Sequence, residues 1–247
     1  MSEDTHFGYQ RVSGAAKTAK VRDVFDSVAS RYDLMNDLMS GGLHRIWKRC
    51  AISSLDVRPG QRIVDLAGGT GDLTRLIAAQ TKGEGELFLV DINAQMLRHG
   101  RDRMLDAGQV NVAQLVQANA ESLPFADNSV DRLIIGFGLR NVTRKGVALA
   151  EMSRVLVPGG RAVVLEFSQV KAPLLARIYD HYSFRVLPRL GERVAGDAES
   201  YQYLAESIRM HPDQESLTYM MNKAGFSRVR VNNLAAGIVA VHVGFKP

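Results

Sequence analysis

The spacing of apolar positions changes twice along the chain, and the changes divide it. From Val21 they fall at i, i+3, i+4 and i+7 (Val21, Val24, Phe25, Val28), which is one face of a helix. A second helical stretch runs through Leu34, Met35, Leu38 and Met39. Gly41-Gly42 breaks it, and Leu43 to Leu55 resumes it. After Leu55 short apolar runs alternate with helical patterns. Strands are expected at 62–66, 86–90, 112–117, 132–137 and 161–167, with helices at about 73–80, 94–105 and 144–156. This alternation predicts a parallel sheet with helices on both faces. Val229 to Asn232 and Ile238 to Gly244, joined by a short Ala/Gly link, read as a final hairpin that gives the sheet an antiparallel edge.

Two segments stand outside this rhythm. Residues 1–20 are polar and aperiodic and read as a flexible arm, leaving 21–247 as one domain with a helical cap at 21–55. Residues 168–214 form a long insertion after the fifth strand, the place where open α/β sheets bind ligands, and read as a substrate lid.

Composition narrows the class. The chain has 247 residues, 46% of them hydrophobic and 23% charged, ordinary values for a globular protein. No apolar run is long enough to span a bilayer, and no apolar segment follows Met1, so neither an anchor nor a secretory leader is expected. The single cysteine, Cys50, cannot form an internal disulfide, and no metal-ligand cluster surrounds it. A cytoplasmic protein is expected, without a metal. The net charge of +5 is spread along the chain without a basic tract, so nucleic acid is disfavoured.

The strand at 62–66 runs into Gly68-Gly69-Thr70-Gly71 and then a helix, the layout of a nucleotide-cofactor turn. A dinucleotide fingerprint would need a third glycine where Thr74 stands. S-adenosylmethionine has no pyrophosphate, and its ammonium needs acceptors such as Asp65. A tight strand-to-helix turn is the alternative. Asp91 ends the second strand, where it could accept from both ribose hydroxyls or cap the next helix. Asn119-Ala120 follows the third strand, where Asn119 could read adenine or simply make a turn.

Together these residues resemble the core of a class I (Rossmann-like) methyltransferase, with seven strands. More narrowly, the chain resembles the UbiE/COQ5 family of quinone-biosynthesis C-methyltransferases. The resemblance is carried by Phe25 to Asp33, Asp65 to Asp72, Asn119 to Phe125, Phe137-Gly138-Leu139-Arg140-Asn141-Val142 and Tyr201 to Ile208. It implies methyl transfer from S-adenosylmethionine to a ring carbon of a polyprenyl benzoquinol (2-methoxy-6-polyprenyl-1,4-benzoquinol), of demethylmenaquinol, or of both. It places the cofactor on Thr70, Asp91, Asn119 and Ala120, and Asp65, Gly69, Gly71 and Ile92 beside them complete the expected cofactor site. Relatives often carry Ser where this chain has Gly136, so only a backbone contact is expected there. Partners implied are the quinol, other quinone-biosynthesis proteins, the inner face of the membrane, and a second copy as a homodimer.

The chemistry asks for positioning, worth roughly 7–11 kcal/mol in favourable cases, and for removal of a phenolic proton. Arg140 and Asn141 follow the fourth strand at its C-terminal end. Arginine is a poor base, so Arg140 is expected to stabilise a phenolate and Asn141 to orient the ring oxygen. A loop ion pair with a helix cap is the alternative. Asp33, His181 and Tyr182 are candidate bases, His181 equally readable as a surface residue. Met35, Leu38, Met39, Leu174, Leu175, Ile178 and Leu187 could line a prenyl groove. Lys171, Arg177, Arg185, Arg189 and Arg193, mixed with these apolar residues, suit a membrane surface. A methyltransferase of another small lipophilic acceptor, or a non-catalytic lipid-binding scaffold, are the competing functions.

Overall fold

The computed structural model describes residues 4–28, 32–109, 112–195 and 197–247. After a small hairpin (β1 Asp4–Phe7, β2 Gln10–Ser13), seven strands form the main sheet: β3 Arg62–Leu66, β4 Glu86–Asp91, β5 Gln114–Gln117, β6 Val130–Gly136, β7 Leu156–Phe167, β8 Ser227–Leu234 and β9 Val239–Phe245. Their order is β5-β4-β3-β6-β7-β9-β8. β3 to β7 are mutually parallel, and β9 runs antiparallel to both β7 and β8. The antiparallel element is thus the terminal hairpin at one side of the sheet, with β8 outermost.

Successive residues of the central strands face opposite helical layers, which is why these strands read as unbroken apolar runs. Ile63, Ile134, Val163 and Leu165 pack with α3 (His44–Leu55), α4 (Asp72–Thr81) and α9 (Ala198–Arg209). Val64, Leu133, Ile135 and Val164 pack with α6 (Lys145–Val155) and α10 (Gln214–Lys223). α5 (Ala94–Asp106) covers β4 through Leu97 and Met104 against Leu89. β5 begins at Gln114 rather than Val112.

Where a flexible arm is expected at 1–20, the described residues form β1, β2 and the start of α1 (Gly14–Val28). Tertiary contacts hold this segment. The Phe7 ring stacks on Tyr203 at 4.1 Å, the Tyr9 amide donates to Glu206 Oε2 (3.1 Å), and buried Lys17 donates to the Val142 carbonyl (3.2 Å). None of these has a periodic signature, so the spacing of apolar residues could not reveal them.

The insertion at 168–214 is helical. It comprises α7 (Pro173–His181), a π-helical turn (Tyr182–Val186), α8 (Leu187–Ala195) and α9. α9 contributes Tyr201, Leu204 and Ile208 to the core, whereas α7 buries no residue. The single prenyl groove expected from apolar side chains is not assembled. Met35 and Met39 of α2 (Tyr32–Ser40) and Leu187 are core, and Leu174 and Ile178 are exposed, because α7 stands off the sheet.

Candidate active site

The turn after β3 is built for close approach. Ala67, Gly69 and Gly71 have φ of 51°, 55° and 78°, a left-handed conformation that favours glycine. A Cβ on Gly68 would come within 2.4 Å of Leu89 and 2.7 Å of Asp65. The backbone is therefore packed so that only hydrogen-sized groups fit. The N-cap of α4 is Gly71, which has no side chain to cap the helix, and of the first-turn N–H groups that of Thr74 is taken by Asp65.

Two carboxylates flank this turn at the C-terminal ends of adjacent strands. Asp65 is fully buried. Its Oδ2 accepts from the Thr74 amide (2.9 Å) and hydroxyl (2.6 Å), while Oδ1 has no partner among the described residues. Burial pushes its pKa up to about 7, against the Thr74 hydrogen bonds that lower it. Asp91 Oδ2 accepts from Gly69 N (2.9 Å) and Oδ1 from Asn93 N (2.8 Å). Burial raises it to about 6. The helix-cap alternative for Asp91 falls away, because α5 is capped by Asn93, whose Oδ1 accepts from Gln95 N (2.8 Å) and Met96 N (3.1 Å).

The other expected cofactor residues surround this pair unevenly. Ile92 is exposed beside Asp91, and Ala120 is buried. Asn119 Oδ1 accepts from Glu121 N (3.0 Å), a local turn that leaves the amide nitrogen for a ligand. Thr70 Oγ1 accepts from Arg103 Nη1 (2.8 Å), and Arg103 also pairs with Asp72 (2.9 Å), which Lys48 holds from the other side (2.6 Å). Gly136 ends β6, where a Cβ would stand 2.6 Å from Leu73 Cδ1. Leu73 fills the space that a side chain would need.

These observations fit a ligand with an ammonium and a ribose. The unpartnered Asp65 Oδ1 is an acceptor without a donor, and the glycine turn is a cradle that any Cβ would fill. A bound ammonium holds Asp65 ionised, so binding and deprotonation are linked. Since the raised pKa in the free protein is about 7, affinity should climb about tenfold per pH unit below that value and level off above it. Titration calorimetry at pH 6 in buffers of different ionisation enthalpy should register proton release, and a flat affinity from pH 5.5 to 8 would contradict this. In the free protein the same shift acts on stability: Asp65 favours folding at low pH, and that contribution is lost as pH rises from 3.8 towards 7.

Beyond β6 the chain turns at Leu139–Asn141. A Cβ on Gly138 would lie 2.7 Å from the Ala67 Cβ, so this turn is pressed against the glycine turn. Arg140 is buried over the Phe167 ring (5.6 Å). Its Nη1 donates to Glu166 Oε1 (2.8 Å) and to the Phe137 carbonyl, and its amide donates to Glu166 Oε2 (3.1 Å). Arg140 Nε has no partner among the described residues. Asn141 Oδ1 accepts from the Tyr203 hydroxyl (2.9 Å). Lys17 and Lys145 approach the same turn, each donating to the Val142 carbonyl (3.2 and 3.3 Å). Burial lowers both ammonium pKa values, that of Lys17 to about 8.

Two of the expected bases, Tyr182 and His181, are not brought to this cluster. The Tyr182 hydroxyl donates to the Leu38 carbonyl, and burial raises its pKa. His181 is exposed on an open hollow with Phe184, Arg185 and Arg189. Asp33 lies in α2, but its side chain is outside the described residues. Conversely, Glu166, Tyr203 and Lys17 belong to the cluster and escaped the sequence reading. Only Glu166 carried a signal, a carboxylate set in the apolar run Val163 to Phe167. Among the described residues no three His, Cys, Asp or Glu are grouped as a metal site.

The ubiE/COQ5 methyltransferase family matches residues 13–246 of the chain. The ubiquinone/menaquinone biosynthesis C-methyltransferase UbiE of Ectopseudomonas mendocina is 58% identical over 243 residues, covering 98% of this chain and 95% of that protein. The protein of the same name from Paraburkholderia phytofirmans is 60% identical over 242 residues, covering 98% of each. Among solved structures, the methyltransferase complexed with the Haloferax volcanii Trm112 activator superposes with a TM-score of 0.67 at 19% identity, covering 92% of this chain and 97% of that one. A SAM-dependent methyltransferase from Thermotoga maritima gives 0.63 at 20%, covering 91% and 99%.

Proposed function

This chain belongs to the ubiE/COQ5 methyltransferase family, and from that membership we propose how its residues carry the reaction. It is an S-adenosylmethionine-dependent C-methyltransferase of ubiquinone/menaquinone biosynthesis. The acceptor we assign is the ring of a polyprenyl benzoquinol or demethylmenaquinol. The observation that supports an acceptor site at Arg140 is the contact of its turn with the glycine turn, through Gly138 and Ala67. Whatever binds at Arg140 therefore sits beside the cofactor.

When bound, S-adenosylmethionine supplies an electrophilic methyl on a sulfonium, which departs as a neutral sulfide. Asp65 accepts from the cofactor ammonium, and Asp91 from its ribose hydroxyls. The Asn119 amide and the apolar flanks of Ile92 and Ala120 take the adenine. Water takes the phenolic proton, and Arg140 stabilises the resulting phenolate, which makes the neighbouring ring carbon nucleophilic. Glu166 fixes the guanidinium, and Tyr203 fixes Asn141. After the new C–C bond forms, the ring carbon loses its proton to solvent and aromaticity returns. The direct test is incubation with methyl-labelled S-adenosylmethionine and a short-chain demethylated quinol. Label in a ring methyl is expected; bound cofactor with unlabelled quinol would overturn the acceptor.

A quinol with a prenyl tail resides in a bilayer, and α7 supplies a contact for one. Leu174 and Ile178 are 73% and 58% exposed, with Lys171, Arg177 and Arg185 near them in sequence. No helix among the described residues is long and apolar enough to cross a membrane, so the contact is peripheral. The protein should sediment with anionic vesicles at low salt. Leu174→Asp with Ile178→Asp should lower the vesicle binding constant at least about a hundredfold, since burying each side chain contributes roughly 1.5–3 kcal/mol. Equal sedimentation of both forms would remove α7 from the contact.

A further inference from the structure

A small cavity of about 80 Å³ adjoins Arg140, walled by Lys17, Arg140, Lys145, Tyr203 and Ser207. The β1–β2 hairpin roofs it through Thr5, His6 and Gly8. Its charge is unbalanced. Arg140 has Glu166 as its carboxylate (2.8 Å). Lys17 is only 3% exposed, yet neither it nor Lys145 makes an ion pair among the described residues, and each meets the neutral Val142 carbonyl instead. Glu166 and Glu121 act on Lys145, and Glu121 on Lys17, without forming ion pairs with them, and Glu121 is itself held by Arg144 (2.7 Å). Burying positive charge without a counterion is costly, so such a cavity is arranged for an anion that arrives. Arg140 Nε, buried and unpartnered, is a further donor awaiting an acceptor.

We propose that this cavity is an oxyanion subsite of the acceptor, in which Lys17, Lys145 and Arg140 together hold the ionised ring oxygen beneath the N-terminal hairpin. The subsite rests on the acceptor reading above and extends it to residues outside the glycine turn and the Arg140 turn. Its size admits a ring oxygen and adjoining atoms but no prenyl chain, so the tail leaves by another side. The roof is held in place: Phe7 stacks on Tyr203 at 4.1 Å, and Tyr9 N donates to Glu206 Oε2 (3.1 Å). The hairpin thereby keeps water from the ammonium groups, which strengthens their hold on an anion. The lowered Lys17 pKa, about 8, has the same origin, and an oxyanion in the cavity would raise it again. The ionisable groups facing this space are His6 from β1, Lys17 from α1, Arg140, Lys145 from α6 and Tyr203 from α9, with Glu166, Glu121 and the buried imidazole of His211 behind them.

The test uses 4-nitrophenol, whose ionised form is yellow, with the full-length protein saturated with S-adenosylhomocysteine. Wild type should bind it chiefly as the phenolate, lowering its apparent pKa by about one unit, a tenfold preference. Lys17→Met should abolish most of that preference and Lys17→Arg should retain it, while affinity for S-adenosylhomocysteine in both stays within about threefold of wild type. If Lys17→Met does not fold, Lys145→Met gives the same comparison. No binding by wild type, no displaced ionisation, or a displacement that survives the loss of the lysine would each overturn the subsite. Labelling of the demethylated quinol is scored separately: a displaced nitrophenol pKa without ring methylation sinks the acceptor reading, and methylation without displacement sinks only the subsite.

Discussion

Arg140→Ala should cut turnover by about 10²–10³ while leaving cofactor affinity within about threefold, because it removes a charge that acts where the acceptor becomes anionic. A second effect accompanies it. Glu166 is 1% exposed and takes both the Arg140 guanidinium and amide. Truncating one partner of a buried pair strands the other, at a cost of about 3–5 kcal/mol. Lost turnover could then reflect lost fold. The double variant Arg140→Ala/Glu166→Gln separates the two, since the neutral amide no longer needs a counterion. Urea midpoints should recover most of the stability in the double variant, while turnover stays low. Recovery of turnover would make Arg140 structural, and undiminished turnover in Arg140→Ala would remove it from the site.

Asp91→Ala should weaken cofactor binding by about 10²–10³, the largest binding effect of any single change in the glycine-turn region. A carboxylate accepting from two ribose hydroxyls supplies two charge-assisted hydrogen bonds of roughly 1.5–3 kcal/mol each. Part of that is recovered because Asp91 also accepts from Gly69 N and Asn93 N, and those amides take water in its place. Turnover at saturating cofactor should return to within a few fold of wild type, since Asp91 does not touch the acceptor side. Titration calorimetry with S-adenosylhomocysteine reads the affinity. A dissociation constant within threefold of wild type would take the ribose from Asp91.

The two experiments fall on opposite sides of a physical divide. Asp91 lies where a strand end meets a glycine turn, and both are local patterns. Arg140 is bonded to Glu166, 26 residues away, and its neighbour Asn141 to Tyr203, 62 residues away. Such pairings follow from how β6, β7 and α9 come together, so spacing along the chain cannot specify them.

Short unbroken apolar runs and period-3.6 spacing of apolar residues determined the alternating strands and helices, because burial on both sheet faces and on helix stripes is written in neighbouring positions. The glycines at 68, 69 and 71 and the carboxylates at 65 and 91 were legible as the site proposed for the cofactor, because backbone approach and strand-end acceptors are local needs. The long motifs around Phe137 and Tyr201 determined the family. Tertiary structure alone decided that residues 4–13 fold over Tyr203 as a hairpin, that Tyr182 is tied to Leu38 and His181 faces outward, and that Lys17 is buried beside Arg140. Those outcomes depend on packing between segments far apart in sequence, where a single aromatic stack or buried ammonium leaves no periodic trace.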